Sequence, residues 1–229
     1  PAHGQRHNAR DTLGEGKTWA VEPCKLDETG RLWSPGVRYG VRRGTYFHLT
    51  EFFGPVLGVM TADTLEEAIE IQNQVEYGLT AGLHALDPDE LGTWLDSIQA
   101  GTLYVNRGIT GAIVQRQPFG GWKKSAVGAG TKAGGPNYLA GLGDWTSTAS
   151  TADAPITNAG VGRILNAAAG ALQPGELGTL QRSLASDAQA WADEFGNAKD
   201  VSGINAERNI FRYRALPVTV RLSEGAPLA

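Results

Sequence analysis

Residues 55–106 read PVLGVMTADTLEEAIEIQNQVEYGLTAGLHALDPDELGTWLDSIQAGTLYVN, and this stretch decides the fold. It opens on a short apolar run, Pro55 to Met60, whose valines predict a strand. Thr64-Leu65-Glu66-Glu67 has capping-box spacing: the hydroxyl answers an orphan amide of the first turn and the glutamate three residues on reaches back, so a helix starts at Thr64. Leu65, Ala68, Ile69 and Val75, with the neutral Gln72 between them, fall on one face, and Gly78 stands where a helix stop is expected. Leu79 to Leu86 predicts a second strand. Asp87-Pro88-Asp89-Glu90 then sets a second helix start, with an acid at the N-cap, proline at the first helical position and Glu90 at the third. Leu91, Trp94, Leu95 and Ile98 form its apolar face and Gly101 its expected stop. Thr102 to Asn106 is the third strand. Strand, helix, strand, helix, strand with short connections is the pattern of consecutive right-handed βαβ crossovers, which require a parallel sheet covered by helices. The fold class is α/β.

Outward from this core the text is less regular. Pro1 to Thr45 mixes charges, glycines and apolar pairs without a sustained period and predicts loops with one or two short strands. Gly108 to Pro136 is rich in glycine and reads as an ordered functional loop or a flexible one. Trp145 to Asn158 is small, polar and Thr/Ser-rich, as a linker or extended arm is. Helices are expected over Val161–Leu172 and Pro174–Phe195, and Glu207 to Leu222 alternates at period two as strands do. The expected division is a catalytic-type α/β segment over 1–148 and a mixed α/β C-terminal extension over 149–229.

The 229 residues carry 24 acidic and 20 basic side chains, a formal charge of -4, and the basic residues form no stripe. That balance argues against a nucleic-acid partner. One cysteine excludes an internal disulfide and any multi-cysteine metal site. No apolar run approaches the roughly 20 residues that span a bilayer, and Pro1 to Arg10 is polar and basic without the apolar core of a signal peptide. A cytoplasmic protein without a membrane span is expected. Its first residue is Pro1 rather than methionine, which fits a piece excised from something longer.

Cys24 sits in V-E-P-C-K-L-D, without a glycine-rich turn or a nearby histidine to lower its pKa, and reads as a structural or surface cysteine. The histidines at 3, 7, 48 and 84 neither pair at i, i+4 nor cluster with acids, so no metal is expected. Gly128 to Ala133 matches G-x-G-x-x-A in form, but no strand precedes it and Gly134-Gly135-Pro136 would stop the helix it must open, so it is rejected as a dinucleotide fingerprint. There is no Walker lysine and no G-x-S-x-G elbow. Two segments are more specific. Thr50 to Val56 places Glu51 beside two aromatics and a Gly-Pro turn, at the mouth of the sheet or as a solvated edge acid. Tyr104 to Gly121 follows the last strand, with glycines whose amides can approach an anion and Phe119 to wall a pocket, or as a generic glycine-rich turn.

Taken in order, Glu51-Phe52-Phe53-Gly54-Pro55-Val56, the strand Tyr77 to Leu83, the strand Gly101 to Asn106 and the turn Pro118-Phe119-Gly120-Gly121 resemble the C-terminal portion of the aldehyde dehydrogenase superfamily. Gly111-Ala112-Ile113-Val114, continuing to Gln117-Pro118-Phe119-Gly120-Gly121, and Lys132 to Leu139 are similar to its glutamate semialdehyde (1-pyrroline-5-carboxylate) dehydrogenase branch. More narrowly, they resemble the dehydrogenase half of the bifunctional proline utilization A proteins. Gly203-Ile204-Asn205-Ala206-Glu207-Arg208-Asn209 resembles the opening of the non-catalytic, dehydrogenase-like domain that some of those proteins carry.

The resemblance implies NAD as cofactor, with FAD only where a proline dehydrogenase domain precedes. It implies a cysteine thiolate that attacks the aldehyde, hydride transfer, and hydrolysis of the thioester by water that a glutamate activates. Carried over by motif, Glu51 accepts hydrogen bonds from the nicotinamide-ribose hydroxyls and Phe53 lies beside the nicotinamide. Gly111 and Ala112 hold the substrate α-carboxylate through backbone amides, and Phe119 walls the aldehyde chain. The family nucleophile lies in a G-Q-x-C setting far upstream of the E-F-F-G-P segment. Here Gly4-Gln5-Arg6 is followed by His7, too close to Glu51, and Cys24 lacks the surrounding motif. The nucleophile, the general base and the oxyanion asparagine are therefore expected outside this chain. Two readings follow: an inactive fragment of an NAD-dependent glutamate semialdehyde dehydrogenase that forms homo-oligomers when intact, or a structural module of a dehydrogenase assembly.

Overall fold

The structure, a computed structural model, describes residues 18–113, 116–128, 130–146, 148, 151, 155–200, 202–219 and 221. Several residues named above, including His3, Gly4 to His7, Val114, Ala129 and Leu222, lie outside these, as do parts of the Thr/Ser-rich arm. The described residues fall into two compact units, one within 1–112 and 119–138 and the other within 113–118 and 139–229.

The first unit holds three pieces of sheet. Strand β1 (Thr18–Val21) runs antiparallel to β2 (Gly36–Tyr39), and β2 runs parallel to β3 (Val56–Gly58). Parallel neighbours need a crossover, and here it contains only the short helix α1 (Tyr46–Leu49). The stretch up to Thr45, expected to hold loops with one or two short strands, holds β1 and β2, and α1 begins just after it; a four-residue helix is too short to establish a period. Helix α2 (Leu65–Asn73), β4 (Tyr77–Gly78), β5 (Thr80–Leu83), helix α3 (Pro88–Ser97) and β6 (Thr102–Val105) follow, with β7 (Trp122–Lys123) later. Strands β4 and β7 form a small antiparallel pair of their own. Strands β5 and β6 are parallel in register from Thr80 opposite Thr102 to Leu83 opposite Val105, the predicted crossover through α3. The crossover predicted through α2 differs, because β3 pairs with β2 rather than with β5.

Both predicted caps form. Thr64 Oγ1 accepts from Glu67 N at 3.1 Å, and Glu67 reaches back to the amide of Asp63 at 2.7 Å. Asp87 Oδ1 accepts from Asp89 N at 2.8 Å. The two stops differ. Helix α2 ends at Asn73, where the Lys123 ammonium donates to the carbonyls of Asn73 and Val75 at 2.6 and 3.0 Å and satisfies the helix terminus. Gly78 and Gly101 instead allow backbone segments to touch: a Cβ at Gly78 would strike the Gln99 carbonyl, and one at Gly101 the Gly120 carbonyl. The apolar faces of α2 and α3 meet as expected in a core of Ile69, Ala81, Trp94, Ile98 and Ala100, flanked by Leu65, Leu83, Leu95, Leu103 and Val105. Trp94 and Ile98 are each 2% exposed. A smaller core joins Val41 and Phe47 to Phe52, Val56 and Met60. Beside it, the buried Arg38 guanidinium lies over the Trp19 and Phe47 rings at 5.7 and 4.7 Å.

In the second unit, helix α4 (Ala159–Ala169) is capped by Asn158, whose side chain accepts from the amides of Gly160 and Val161 at 2.8 and 3.2 Å. Helix α5 (Pro174–Ala190) runs on into a π turn at Trp191–Phe195, matching the predicted span. Strand β8 (Lys199–Asp200) pairs antiparallel with β9 (Ile210–Phe211). Tyr213 packs its ring against Phe195 and Phe211 at 4.8 and 5.0 Å. Of the alternating stretch Glu207–Leu222, only β9 is a strand among the described residues. Leu216 and Val218 are strongly exposed, so the alternation has no buried face there. No helix among the described residues is long and apolar enough to cross a membrane.

Candidate functional site

Glu51 and Phe53 lie in the segment that links α1 to β3. Phe52 is their anchor: its ring packs on Phe47 at 4.7 Å and edge-on to Tyr46 at 5.7 Å. Its two neighbours are left outward. Phe53 is 80% exposed, and the Glu51 carboxylate is exposed and makes no hydrogen bond or ion pair with a described residue. The anchoring role of Phe52 was hidden in the sequence because two adjacent phenylalanines look equivalent. Their place relative to the sheet also corrects an expectation. Pro55 O accepts from Gly36 N at 3.0 Å and Val56 pairs with Gly36, so the segment meets the sheet at the amino end of the parallel strands. Open α/β sheets bind ligands at the carboxyl end. The sheet-mouth argument for Glu51 therefore does not hold.

Gly111 and Ala112 follow the carboxyl end of β6. The chain leaves that strand through Asn106, which takes a left-handed conformation with φ 56°. Its side-chain amide clasps the backbone of Ala85, donating to the carbonyl at 2.8 Å and accepting from the amide at 3.0 Å. A short polar side chain tolerates this backbone geometry better than others do. Gly111 itself has φ 90°, with open space where a Cβ would be. The amides of Gly111 and Ala112 make no hydrogen bond to a described residue, so both remain able to bind an anion.

Phe119-Gly120-Gly121 returns to the other end of the same strand. Phe119 forms a bridge with Ala133, at 3.0 and 2.9 Å, and Thr102 Oγ1 donates to Gly120 O at 3.4 Å. The Lys132 ammonium donates to the carbonyls of Gly101 and Gly120, the latter at 2.8 Å. Phe119 thus lies beside the amino end of β6, whereas Gly111 belongs to the loop that leaves its carboxyl end. Among the described residues no hydrogen bond or ring contact joins Glu51 or Phe53 to Gly111, Ala112 or Phe119.

In the sequence Lys132 belongs to the rejected fingerprint and opens the family-like stretch Lys132 to Leu139, and its role as a clasp between two backbone segments is legible only in three dimensions. Burial pulls its pKa down to about 8 from an ordinary 10.5. The unfolded chain therefore holds this proton at pH values where the folded chain has released it. The contribution of Lys132 to stability is least favourable below pH 8 and improves as pH rises from about 8 to 10.5. Unfolding free energies of the intact protein and its Lys132→Met variant, compared across that window, are expected to diverge in favour of the lysine by at most about 1.4 kcal/mol per pH unit. A difference that stays flat with pH refutes this.

Cys24 is exposed, its amide and sulfur both facing Ser34 Oγ, at 2.8 and 3.4 Å. A pocket of about 350 Å³ lies between α1 and α2, lined among others by His48, Met60, Ala68, Ile71 and Gln72. His48 Nδ1 accepts from Gly44 N at 3.0 Å, which leaves Nε2 to donate to Ile71 O at 2.9 Å. That ring spans two backbone groups, and none of the predicted site residues lines the pocket.

The chain belongs to the aldehyde dehydrogenase family, which it matches over residues 4–146. A 1-pyrroline-5-carboxylate dehydrogenase of Staphylococcus haemolyticus is 39% identical over 113 residues, 49% of this chain and 22% of the relative. The solved structure of proline utilization A (PutA) from Corynebacterium freiburgense is 49% identical with a TM-score of 0.79, covering 93% of this chain and 21% of that one. A Sinorhizobium meliloti protein named as a methylmalonate-semialdehyde dehydrogenase and solved with NAD is 28% identical with a TM-score of 0.53, covering 58% of this chain and 28% of that one. The chain thus spans about a fifth of the length of the first two relatives.

Proposed function

We propose that this chain is part of a longer, cytoplasmic and homo-oligomeric enzyme that oxidises L-glutamate γ-semialdehyde to L-glutamate with NAD. In this reading residues 1–148 complete the catalytic domain and 149–229 begin an extension. The observation that carries the reading is the Gly111-Ala112 amide pair, which makes no hydrogen bond to a described residue and suits an aldehyde bearing a carboxylate. The names of the relatives support it, as 1-pyrroline-5-carboxylate is the cyclised form of this semialdehyde. NAD, when bound, supplies the hydride acceptor. The residues available to hold it fit: Glu51 is a free carboxylate able to accept from two ribose hydroxyls at once, and Phe53 is an outward aromatic face beside it. Gly111 and Ala112 bind and orient the substrate carboxylate, and Phe119 flanks its chain. The nucleophile and general base come from elsewhere in the longer protein, so the present chain alone is expected to be inactive.

The full-length protein, given glutamate semialdehyde and NAD, is expected to form NADH. Glu51→Gln keeps the shape but loses the charge, and is expected to weaken NAD binding by roughly 1–2 kcal/mol in titration calorimetry and to slow the hydride step in single turnovers. No NADH from the full-length protein would sink the proposal. Wild-type NAD affinity in Glu51→Gln would leave Glu51 a solvated acid.

A further inference from the structure

We infer that Lys132 is a positioning residue for Phe119, holding in place the wall that flanks the aldehyde chain. The inference rests on the reading of Phe119 proposed above, and every residue it uses belongs to the first compact unit. Phe119 lies outside every helix and named strand, so no regular element aims it. Its backbone is held by one partner instead: Phe119 N donates to Ala133 O at 3.0 Å and Ala133 N to Phe119 O at 2.9 Å. Two residues that exchange both bonds fix each other's peptide planes, and with them the direction in which each Cβ leaves the chain. Whatever holds Ala133 therefore aims Phe119.

Lys132, the residue before Ala133, holds it from both ends. At the backbone end, Lys132 O accepts from Gly135 N at 2.8 Å and closes a tight turn, in which Gly134 supplies a left-handed φ of 71°. At the side-chain end, the ammonium donates to the carbonyls of Gly101 and Gly120, the latter at 2.8 Å. Gly120 is the residue after Phe119, and its missing side chain leaves room for the lysine stem: a Cβ there would meet Lys132 Cγ at 3.1 Å. Gly101 stands between Ala100 and Thr102, which are both buried. One side chain thus ties the Phe119 segment to a part of the molecule that is itself fixed by the core. No carboxylate pairs with this ammonium among the described residues, so its donors are spent on backbone alone. Without it, two carbonyl dipoles are left side by side with no shared positive charge, and the Gly120 segment is free to draw away with Phe119.

The test uses the full-length protein and two aldehydes, glutamate semialdehyde and propanal, which lacks the carboxylate. Phe119→Ala removes the wall and is expected to raise KM for both. Lys132→Met keeps most of the stem but no donor, and is expected to raise KM for both roughly three- to tenfold. That pattern differs from a defect in the Gly111-Ala112 anchor, which acts on the carboxylated aldehyde. In a Phe119→Ala background, Lys132→Met is expected to change KM no further, because the wall it aims is gone; a lysine that only supports the fold would multiply the two losses. If Phe119→Ala leaves both KM values unchanged, Phe119 is no wall and the inference falls with that reading. If Phe119→Ala raises KM but Lys132→Met does not, or if the two losses multiply, the wall stands and the role of Lys132 is overturned. Should Lys132→Met fail to fold, Gly134→Ala strains the turn that Lys132 O closes and decides by the same double-variant comparison.

Discussion

Gly101→Ala is expected to cost the folded protein about 3 kcal/mol, the upper range for overpacking a close contact. A Cβ at this position collides with the Gly120 carbonyl and comes within 2.7 Å of Gly121 Cα. These are backbone atoms, so no rotamer change relieves the clash. Nor is either segment free to retreat: Gly101 N donates to Gly78 O at 3.0 Å, and Lys132 clamps the carbonyls of Gly101 and Gly120 together. Moving the Gly120 segment away also breaks the Phe119–Ala133 bridge and carries Phe119 with it. Urea unfolding of the full-length protein followed near Trp94, together with glutamate semialdehyde kinetics, should show a lowered midpoint and a raised KM in the same variant. Gly92→Ala is the control. Gly92 lies inside α3 with open space around it, and replacing it is expected to be neutral or to add up to about 1 kcal/mol. Equal behaviour of the two variants would mean that the Gly101 contact is not tight.

That contrast marks what the sequence can and cannot tell. Thr64, Asp87, Trp94 and Ile98 were readable because caps and apolar faces are local: partners three or four residues apart are printed side by side. The same glycine signal that means a helix stop also means close backbone approach, and only the partner distinguishes them. At Gly78 and Gly101 the partners are Gln99 and Gly120, so the stop was misplaced while the strands were not. Helix α2 stops where it does because of Lys123, fifty positions away from Asn73. The pairing of β2 with β3 was invisible for a different reason, as four residues are too few to show a period. In the candidate site, the glycines and Glu51 could be singled out by residue type and order. Which end of β6 the Phe119 turn meets, and which end of β3 the Glu51 segment meets, depends on register. The link from Lys132 to Gly101 and Gly120 joins a side chain to backbone carbonyls in irregular segments, which no periodicity predicts.

Ala112→Leu, in the intact enzyme, is expected to lower kcat/KM for glutamate semialdehyde by ten- to a hundredfold while changing propanal oxidation little. A charge-assisted hydrogen bond from a backbone amide to a carboxylate is worth roughly 1.5–3 kcal/mol, and a factor of ten corresponds to about 1.4 kcal/mol. Losing one such bond therefore accounts for the whole range. The geometry says why size matters at this position. Gly111 has φ 90° and exposes the peptide planes on either side of it, while Ala112 is half-buried with only a methyl group beside the two amides. An isobutyl group there occupies the approach to those amides without altering the backbone that carries them. The loss should appear mainly in KM, because the carboxylate is held alike in the ground and transition states and the reacting carbon lies at the other end of the substrate. Gly111→Ala separates conformation from bulk. It adds one methyl group in open space, yet forces a side chain into a φ that L-residues rarely adopt. Both variants should discriminate against the carboxylated aldehyde, one by crowding the anchor and the other by turning it. Loss of activity toward both aldehydes in equal measure would show that this loop supports the fold rather than the substrate carboxylate.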